Sequence, residues 1–122
     1  MNKSDYRDLR VWQEARKLVS HVYRATAAFP KHELFGLTSQ MRRAAISVPC
    51  NIAEGHGRRS TADRIHFLVI ARGSLFELET QAIITADLEY LSADAAEHVV
   101  VRTTDVICLL NGYLRHCARR GR

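Results

Sequence analysis

Proline and glycine are scarce in this sequence, where together they make up eight of the 122 residues. Because these residues mark turns and low-complexity segments, their scarcity argues against disorder and against an all-β architecture. Strands are disfavoured as well, since no segment alternates polar and apolar residues. Hydrophobic residues make up 47% of the chain, which is enough for one compact domain over residues 1–122.

Long apolar runs are also missing. The runs at residues 99–101 and 106–110, for example, are too short to span a bilayer, and no basic start leads into an apolar segment as it does in a secretory signal. Cys50, Cys108 and Cys117 are odd in number and lack the spacing of a zinc site. We therefore expect a reduced, cytoplasmic protein with no membrane segment.

Motifs for catalysis or cofactor binding are missing too. Asp63 and His66 have the spacing of half a metal site in a helix bundle, but the other half is absent. Asp63 is better explained as a helix-capping residue. The segment Gly55-His56-Gly57 is too short to cradle a phosphate. We expect no catalytic residue, no metal and no cofactor.

The sequence does contain four segments with apolar residues at helical spacing. The predicted helices cover residues 9–28, 37–54, 60–89 and 92–117. Asp8, Ser60 and Ser92 are the predicted N-caps of the first, third and fourth helices. Because the connections are short, we expect antiparallel neighbours and an all-α, up-down-up-down four-helix bundle.

The second predicted helix has a proline in its interior. Pro49 removes one backbone hydrogen bond there, which usually costs about 3 kcal/mol. The polar and apolar stripes keep their phase across it, which favours one helix kinked at Pro49. Two short helices split near Val48 are the alternative.

A polar stripe follows one face of this second helix. It consists of Gln40, Arg43, Ser47, Asn51 and Glu54. The third helix carries a matching set at antiparallel register, namely Ser74, Glu77 and Gln81. The two sets predict either a structural polar seam between the helices or a ligand cleft. We favour the seam, with a partly buried Arg43–Glu77 ion pair whose loss in Arg43→Ala would strongly destabilise the protein.

The basic residues are mostly arginine, and the net charge is +5. In the predicted bundle, the start of the first helix, the turn after the second helix and the C-terminal segment fall at one end. That end, the basic end, holds ten basic and four acidic residues, against one basic and five acidic residues at the other. Arginine pairs well with phosphate, so the excess predicts nucleic-acid contacts, although a solvated rim is the alternative.

Six arginines of the basic end are the predicted phosphate contacts. They are Arg58, Arg59, Arg64, Arg115, Arg119 and Arg120. The other basic residues at this end are Lys3, Arg7, Arg10 and Arg122. Aromatic side chains that could stack on bases are few, and Tyr6 is the clearest candidate at this end.

Several stretches of the chain are similar to a known family. They are Asp8-Leu9-Arg10-Val11-Trp12-Gln13, Glu33-Leu34-Phe35-Gly36-Leu37-Thr38, Arg42-Arg43-Ala44-Ala45-Ile46-Ser47-Val48-Pro49, Asn51-Ile52-Ala53-Glu54-Gly55 and Gly73-Ser74-Leu75 followed by Glu77-Leu78-Glu79. The chain resembles the bacterial four-helix-bundle proteins first noted as products of intervening sequences inside 23S ribosomal RNA genes. The resemblance is clear over residues 6–91.

This resemblance implies an antiparallel four-helix bundle, commonly assembled as a ring of five, with no assigned catalytic activity. Related accessory proteins of diversity-generating retroelements are basic pentamers that bind nucleic acid and a reverse transcriptase. Apolar positions on the first and fourth helices exceed what one core needs, so they are candidates for the interface of a homo-oligomer. The leading hypothesis is a non-enzymatic oligomer that binds nucleic acid at the basic end. The alternative is a protein–protein interaction scaffold without nucleic-acid contact.

Overall fold

Residues 5–121 are described by a computed structural model and contain four α-helices and no strand. The helices are α1 (Arg10–Thr26), α2 (Leu37–His56), α3 (Thr61–Asp87) and α4 (Ala93–Arg120). Single turns of 3-10 helix, at Tyr6–Asp8 and Lys31–Glu33, precede α1 and α2. The prediction of an all-α four-helix bundle is confirmed. Lys3 and Arg122, counted above among the basic residues, lie outside the described residues.

Two of the three predicted N-caps are formed. Ser60 Oγ accepts a hydrogen bond from the Asp63 backbone N–H at 3.1 Å, and Ser92 plays the same role at the start of α4. The prediction for Asp8 is wrong, because the extra 3-10 turn places Leu9 at the N-cap position of α1, with no side-chain bond. Asp8 is the last residue of that turn.

Pro49 lies inside α2, which continues through it to His56. The alternative of two helices split near Val48 is therefore wrong. Packing explains the continuity, since Val48 and Ile52 on either side of the proline are fully buried in the core. Their burial offsets the lost backbone hydrogen bond. A kink at Pro49 stays a prediction.

The core lies between the inward faces of the four helices. Its largest fully buried side chains include Leu18, Val22, Met41, Ile52, Leu68, Leu75, Leu78, Val99 and Leu110. Hydrogen bonds from Arg72 to Asn111 at 3.0 Å and from Thr104 to Glu79 at 3.3 Å show that α3 and α4 run antiparallel where they meet. The up-down-up-down order of all four helices stays a prediction.

Two glycines allow helix ends to approach closely. A Cβ at Gly55, near the end of α2, would lie 3.0 Å from the Arg64 carbonyl oxygen and 3.2 Å from Phe67 Cβ. A side chain at Gly121, just after α4, would collide with the Thr61 side chain. The end of α2 and the end of α4 therefore both lie against the start of α3.

Short polar side chains connect α2 and α3. The hydroxyls of Ser47 and Ser74 hydrogen-bond to each other at 2.9 Å, and Asn51 Nδ2 donates to Ser47 Oγ at 2.9 Å. All three residues are partly buried. The contact sets the position of one helix along the other, as a structural seam requires.

The ion pair expected in this seam is absent. Arg43 and Glu77 are both exposed and do not pair in the part of the chain that the structure describes, so this prediction is wrong. The polar stripe reaches the solvent edge there, where an ion pair contributes only about 0–1 kcal/mol. Glu77 instead accepts a hydrogen bond from the buried Gln81 at 3.3 Å.

The outer members of the α2 stripe face solvent as well. Gln40 and Glu54 are exposed, and Glu54 pairs with Arg58, in the turn after α2, at 3.4 Å. The neighbouring Arg42, by contrast, connects α2 to α1, since it donates to Thr26 Oγ1 at 2.9 Å and lies 4.5 Å from the centre of the Tyr23 ring.

These neighbouring arginines give a matched test of the packing. We expect Arg43→Ala to change the free energy of unfolding by less than about 0.5 kcal/mol, because its side chain is solvated. Arg42→Ala should cost about 1–2 kcal/mol, because it removes a hydrogen bond to the buried Thr26 and a cation–π contact. Urea denaturation measures both. A larger loss for Arg43→Ala than for Arg42→Ala would contradict the observed contacts.

Candidate nucleic-acid interface

A cavity of about 380 Å³ lies where the helix ends converge at the basic end. Leu9 and Cys117 line part of it, and the rest of its wall is polar. The polar lining residues are His56, Arg64, Tyr113, His116 and Arg120. α2 contributes the first of these, α3 the second and α4 the other three. Two arginines, two histidines and one phenol therefore share one cavity.

Three of the six predicted phosphate contacts lie in or beside this cavity. Arg64 and Arg120 line it. Arg58 is adjacent, because its carbonyl oxygen accepts a hydrogen bond from Arg64 Nε at 2.6 Å. The Arg58 guanidinium lies 4.7 Å from the centre of the Phe67 ring and pairs with Glu54, so part of its charge is neutralised.

The other three predicted contacts lie outside the cavity. Arg59 is exposed in the turn between α2 and α3. On α4, Tyr113 and Arg120 are seven residues apart and share one face, whereas Arg115 and Arg119 lie on another face and are exposed. Two of the six arginines therefore line the cavity, Arg58 lies beside it, and the remaining three are exposed outside it.

The sequence pattern does not single out the histidines or the tyrosine as site residues. His56 Nδ1 and the Tyr113 hydroxyl hydrogen-bond at 2.6 Å, and the rings of Tyr113 and His116 are stacked, with centroids 6.4 Å apart. Residues 113, 116, 117 and 120 have the spacing of one helix face, which is a usable signal. The partner, His56, is far away in sequence and comes close only when α2 packs near α4.

Burial raises the pKa of Tyr113 above its ordinary value, and nearby Cys117 adds to this rise. The protonated hydroxyl can donate a hydrogen bond to His56 Nδ1. A neutral His56 bonded in this way carries its own proton on Nε2. The cavity then presents hydrogen-bond donors from arginine and histidine, which is the arrangement that binds anions.

An acidic side chain is also present near this end. Hydrogen bonds from Arg7 lower the pKa of the Asp5 carboxyl, and His56 contributes a smaller effect. The Asp5 carboxylate is held by Arg7 at 2.8 Å. The Asp5 carboxylate is therefore already paired with the Arg7 guanidinium.

Among residues 5–121, no three His, Cys, Asp or Glu side chains are grouped so that they could hold a metal ion. None of the four helices combines the length and the apolar character needed to cross a membrane.

A second surface of note is the outward face of α3. Val69, Phe76 and Ile83 recur every seven residues and are 42%, 50% and 53% exposed. The opposite face of α3 is buried in the core, so this helix is apolar on two sides. The surplus apolar residues expected on the first and fourth helices are therefore mainly on the third, which corrects that prediction.

Comparison with known proteins gives a family match and a structural match. The model of the family described as 23S rRNA-intervening sequence protein matches residues 7–112. A crystal structure of a protein of unknown function from the S23 ribosomal protein family of Bacteroides thetaiotaomicron is similar, with a TM-score of 0.76 and 22% sequence identity. The match covers 85% of this chain and 97% of that chain. None of the curated proteins matches.

The environment of Tyr113 predicts a pH dependence of stability. An unfolded tyrosine loses its proton near pH 10, whereas folded Tyr113 keeps it to higher pH. The unfolded state then binds fewer protons, so stability falls as the pH rises above about 10. Tyr113→Phe should show a shallower fall in the free energy of unfolding between about pH 9.5 and 11 in urea denaturation. Parallel curves for the two proteins would show that the hydroxyl is not held as described.

Proposed function

The chain belongs to the 23S rRNA-intervening sequence protein family, and from that premise we propose a non-enzymatic, oligomeric protein that binds nucleic acid through its basic end. The observation that carries the nucleic-acid proposal is the state of Arg64 and Arg120. Both line one cavity, and neither has an ion-pair partner within residues 5–121. Their charges are available to a ligand.

Outward-facing arginines extend this charged surface. Arg59, Arg115 and Arg119 are exposed at the same end, and guanidinium groups of this kind contact phosphates without reading the base sequence. The expected binding is therefore electrostatic, strongly salt-dependent and tolerant of sequence. The non-enzymatic part of the proposal rests on the resemblance to the family, for which no catalytic activity is assigned.

The oligomeric part of the proposal depends on α3. A stripe containing Val69, Phe76 and Ile83 costs free energy when it is left in water, and exposed apolar patches mark interaction sites. We propose that a second copy of this chain covers the stripe, and that the copies form a ring. The resemblance to the family suggests five copies. A ring would bring the basic ends of its members onto one rim and multiply their charge.

A specific observation favours the alternative of a protein-interaction scaffold. Phe35 is 93% exposed and the neighbouring Leu34 is 50% exposed, in the connection between α1 and α2. Apolar side chains at such exposure are suited to contact a protein partner. A parent protein that assembles but binds no nucleic acid at low salt would favour this alternative.

Nucleic-acid binding is tested by fluorescence anisotropy with a labelled single-stranded RNA over a series of salt concentrations. The double variant Arg59→Gln/Arg119→Gln should bind more weakly and lower the salt slope by about one per lost phosphate contact. The matched control Arg24→Gln/Lys31→Gln also removes two positive charges, but from the end of α1 and the connection that follows it. It should leave the salt slope unchanged. No binding by the parent at low salt, or equal loss in both variants, would contradict the proposal.

Assembly is tested with Phe76→Glu, which places a charge in the middle of the α3 stripe. Because burying an unpaired carboxylate in an interface is costly, we expect this variant to be monomeric where the parent is not. Val101→Glu is the control, since Val101 is 49% exposed on α4 and outside the stripe. Sedimentation velocity measures the masses. A monomeric parent, or an assembled Phe76→Glu variant, would exclude α3 as the interface.

A further inference from the structure

We propose that the cavity at the basic end is a binding pocket for a phosphomonoester, carried either by the end of a nucleic-acid strand or by a free mononucleotide. In its strand-end form this inference rests on the proposed nucleic-acid function. The residues assigned to the pocket are His56, Arg64, Tyr113, His116 and Arg120, which come from three different helices.

Charge favours a terminal phosphate over an internal one. A phosphomonoester carries about −1.5 to −2 at neutral pH, whereas each internal phosphate of a strand carries a single negative charge. Arg64 and Arg120 together supply two positive charges in the cavity. Arg64 uses Nε to bond the Arg58 carbonyl oxygen, which fixes the side chain and leaves its two terminal nitrogens for phosphate oxygens.

The neutral groups of the cavity add directed donors. The bond between Tyr113 and His56 at 2.6 Å holds the imidazole in place. When the Tyr113 hydroxyl donates this hydrogen bond to Nδ1, a neutral His56 carries its own proton on Nε2, which is then an N–H donor. Phosphate oxygens are acceptors, so this arrangement complements them.

The size of the cavity indicates more than a bare phosphate. A volume of about 380 Å³ lies within the range of pockets for small organic ligands. His116 is stacked on Tyr113 and offers an aromatic surface beside the arginines. A sugar and a base attached to the phosphate could occupy this side.

Arginines in the last turn of a helix also offset the negative end of its dipole, and this is the competing explanation for Arg120. Arg119 has the same position in the last turn of α4, but it does not line the cavity. Arg119→Gln is therefore a matched control for Arg120→Gln, because both variants lose one charge from the same helix end.

The test compares labelled oligonucleotides of one sequence, with a 5′ phosphate, a 3′ phosphate or only hydroxyl ends, and adds calorimetric titration with adenosine 5′-monophosphate. We expect the parent protein to bind one phosphorylated end, or the mononucleotide, about tenfold more tightly than Arg120→Gln does. Tyr113→Phe should reduce the preference as well. Arg119→Gln should weaken all three oligonucleotides equally and keep the preference.

The outcomes separate this inference from the function on which it rests. Equal binding of all three oligonucleotides, without mononucleotide binding, overturns the pocket and leaves the proposed function intact. Mononucleotide binding that is lost in Arg120→Gln, without oligonucleotide binding, supports the pocket and overturns the proposed function. Equal losses in Arg119→Gln and Arg120→Gln also overturn the pocket. Because Arg120 is exposed, that variant should fold even if Tyr113→Phe does not.

Discussion

The close packing of α2 against α3 is the constraint on which the other features depend. The helices approach closely at Gly55, where a side chain would press against the Arg64 carbonyl oxygen, and their register is set by the Ser47–Ser74 hydrogen bond. This packing brings the end of α2, with His56, next to the start of α3. The cavity at the basic end exists because α4 then ends against the same turn of α3.

Two surfaces with different physical character result from this arrangement. The basic end gathers arginines from helix ends, where side chains can project into solvent and reach a ligand. The outer face of α3 exposes Val69, Phe76 and Ile83, with Phe76 near the middle of the helix. Charge suits a ligand that arrives and leaves, whereas apolar area suits a lasting contact between copies. The proposed function uses both surfaces without requiring either to serve two purposes.

Local features of this fold, such as helix caps, were predictable from the sequence. The exposure of individual side chains and the contacts between residues far apart in the chain were not. Ser60 and Ser92 begin helices because capping involves residues only three positions away. The antiparallel register of the two polar sets agrees with the Ser47–Ser74 hydrogen bond, but the sequence could not show that Arg43 and Glu77 are exposed to solvent. The arginines of the candidate site were found from charge alone. The His56–Tyr113 pair was missed because its members lie 57 residues apart.

The α2–α3 register is measured most directly by a disulfide in a variant with Cys50 and Cys108 replaced by serine. The Ser47 and Ser74 oxygens are 2.9 Å apart, so the two side chains meet directly between α2 and α3. Ser47→Cys/Ser74→Cys should therefore cross-link on mild oxidation and stay folded. The control Gln40→Cys/Ser74→Cys, about two helical turns out of register, should stay reduced. Cross-linking of the control in preference to the Ser47–Ser74 pair would contradict the account.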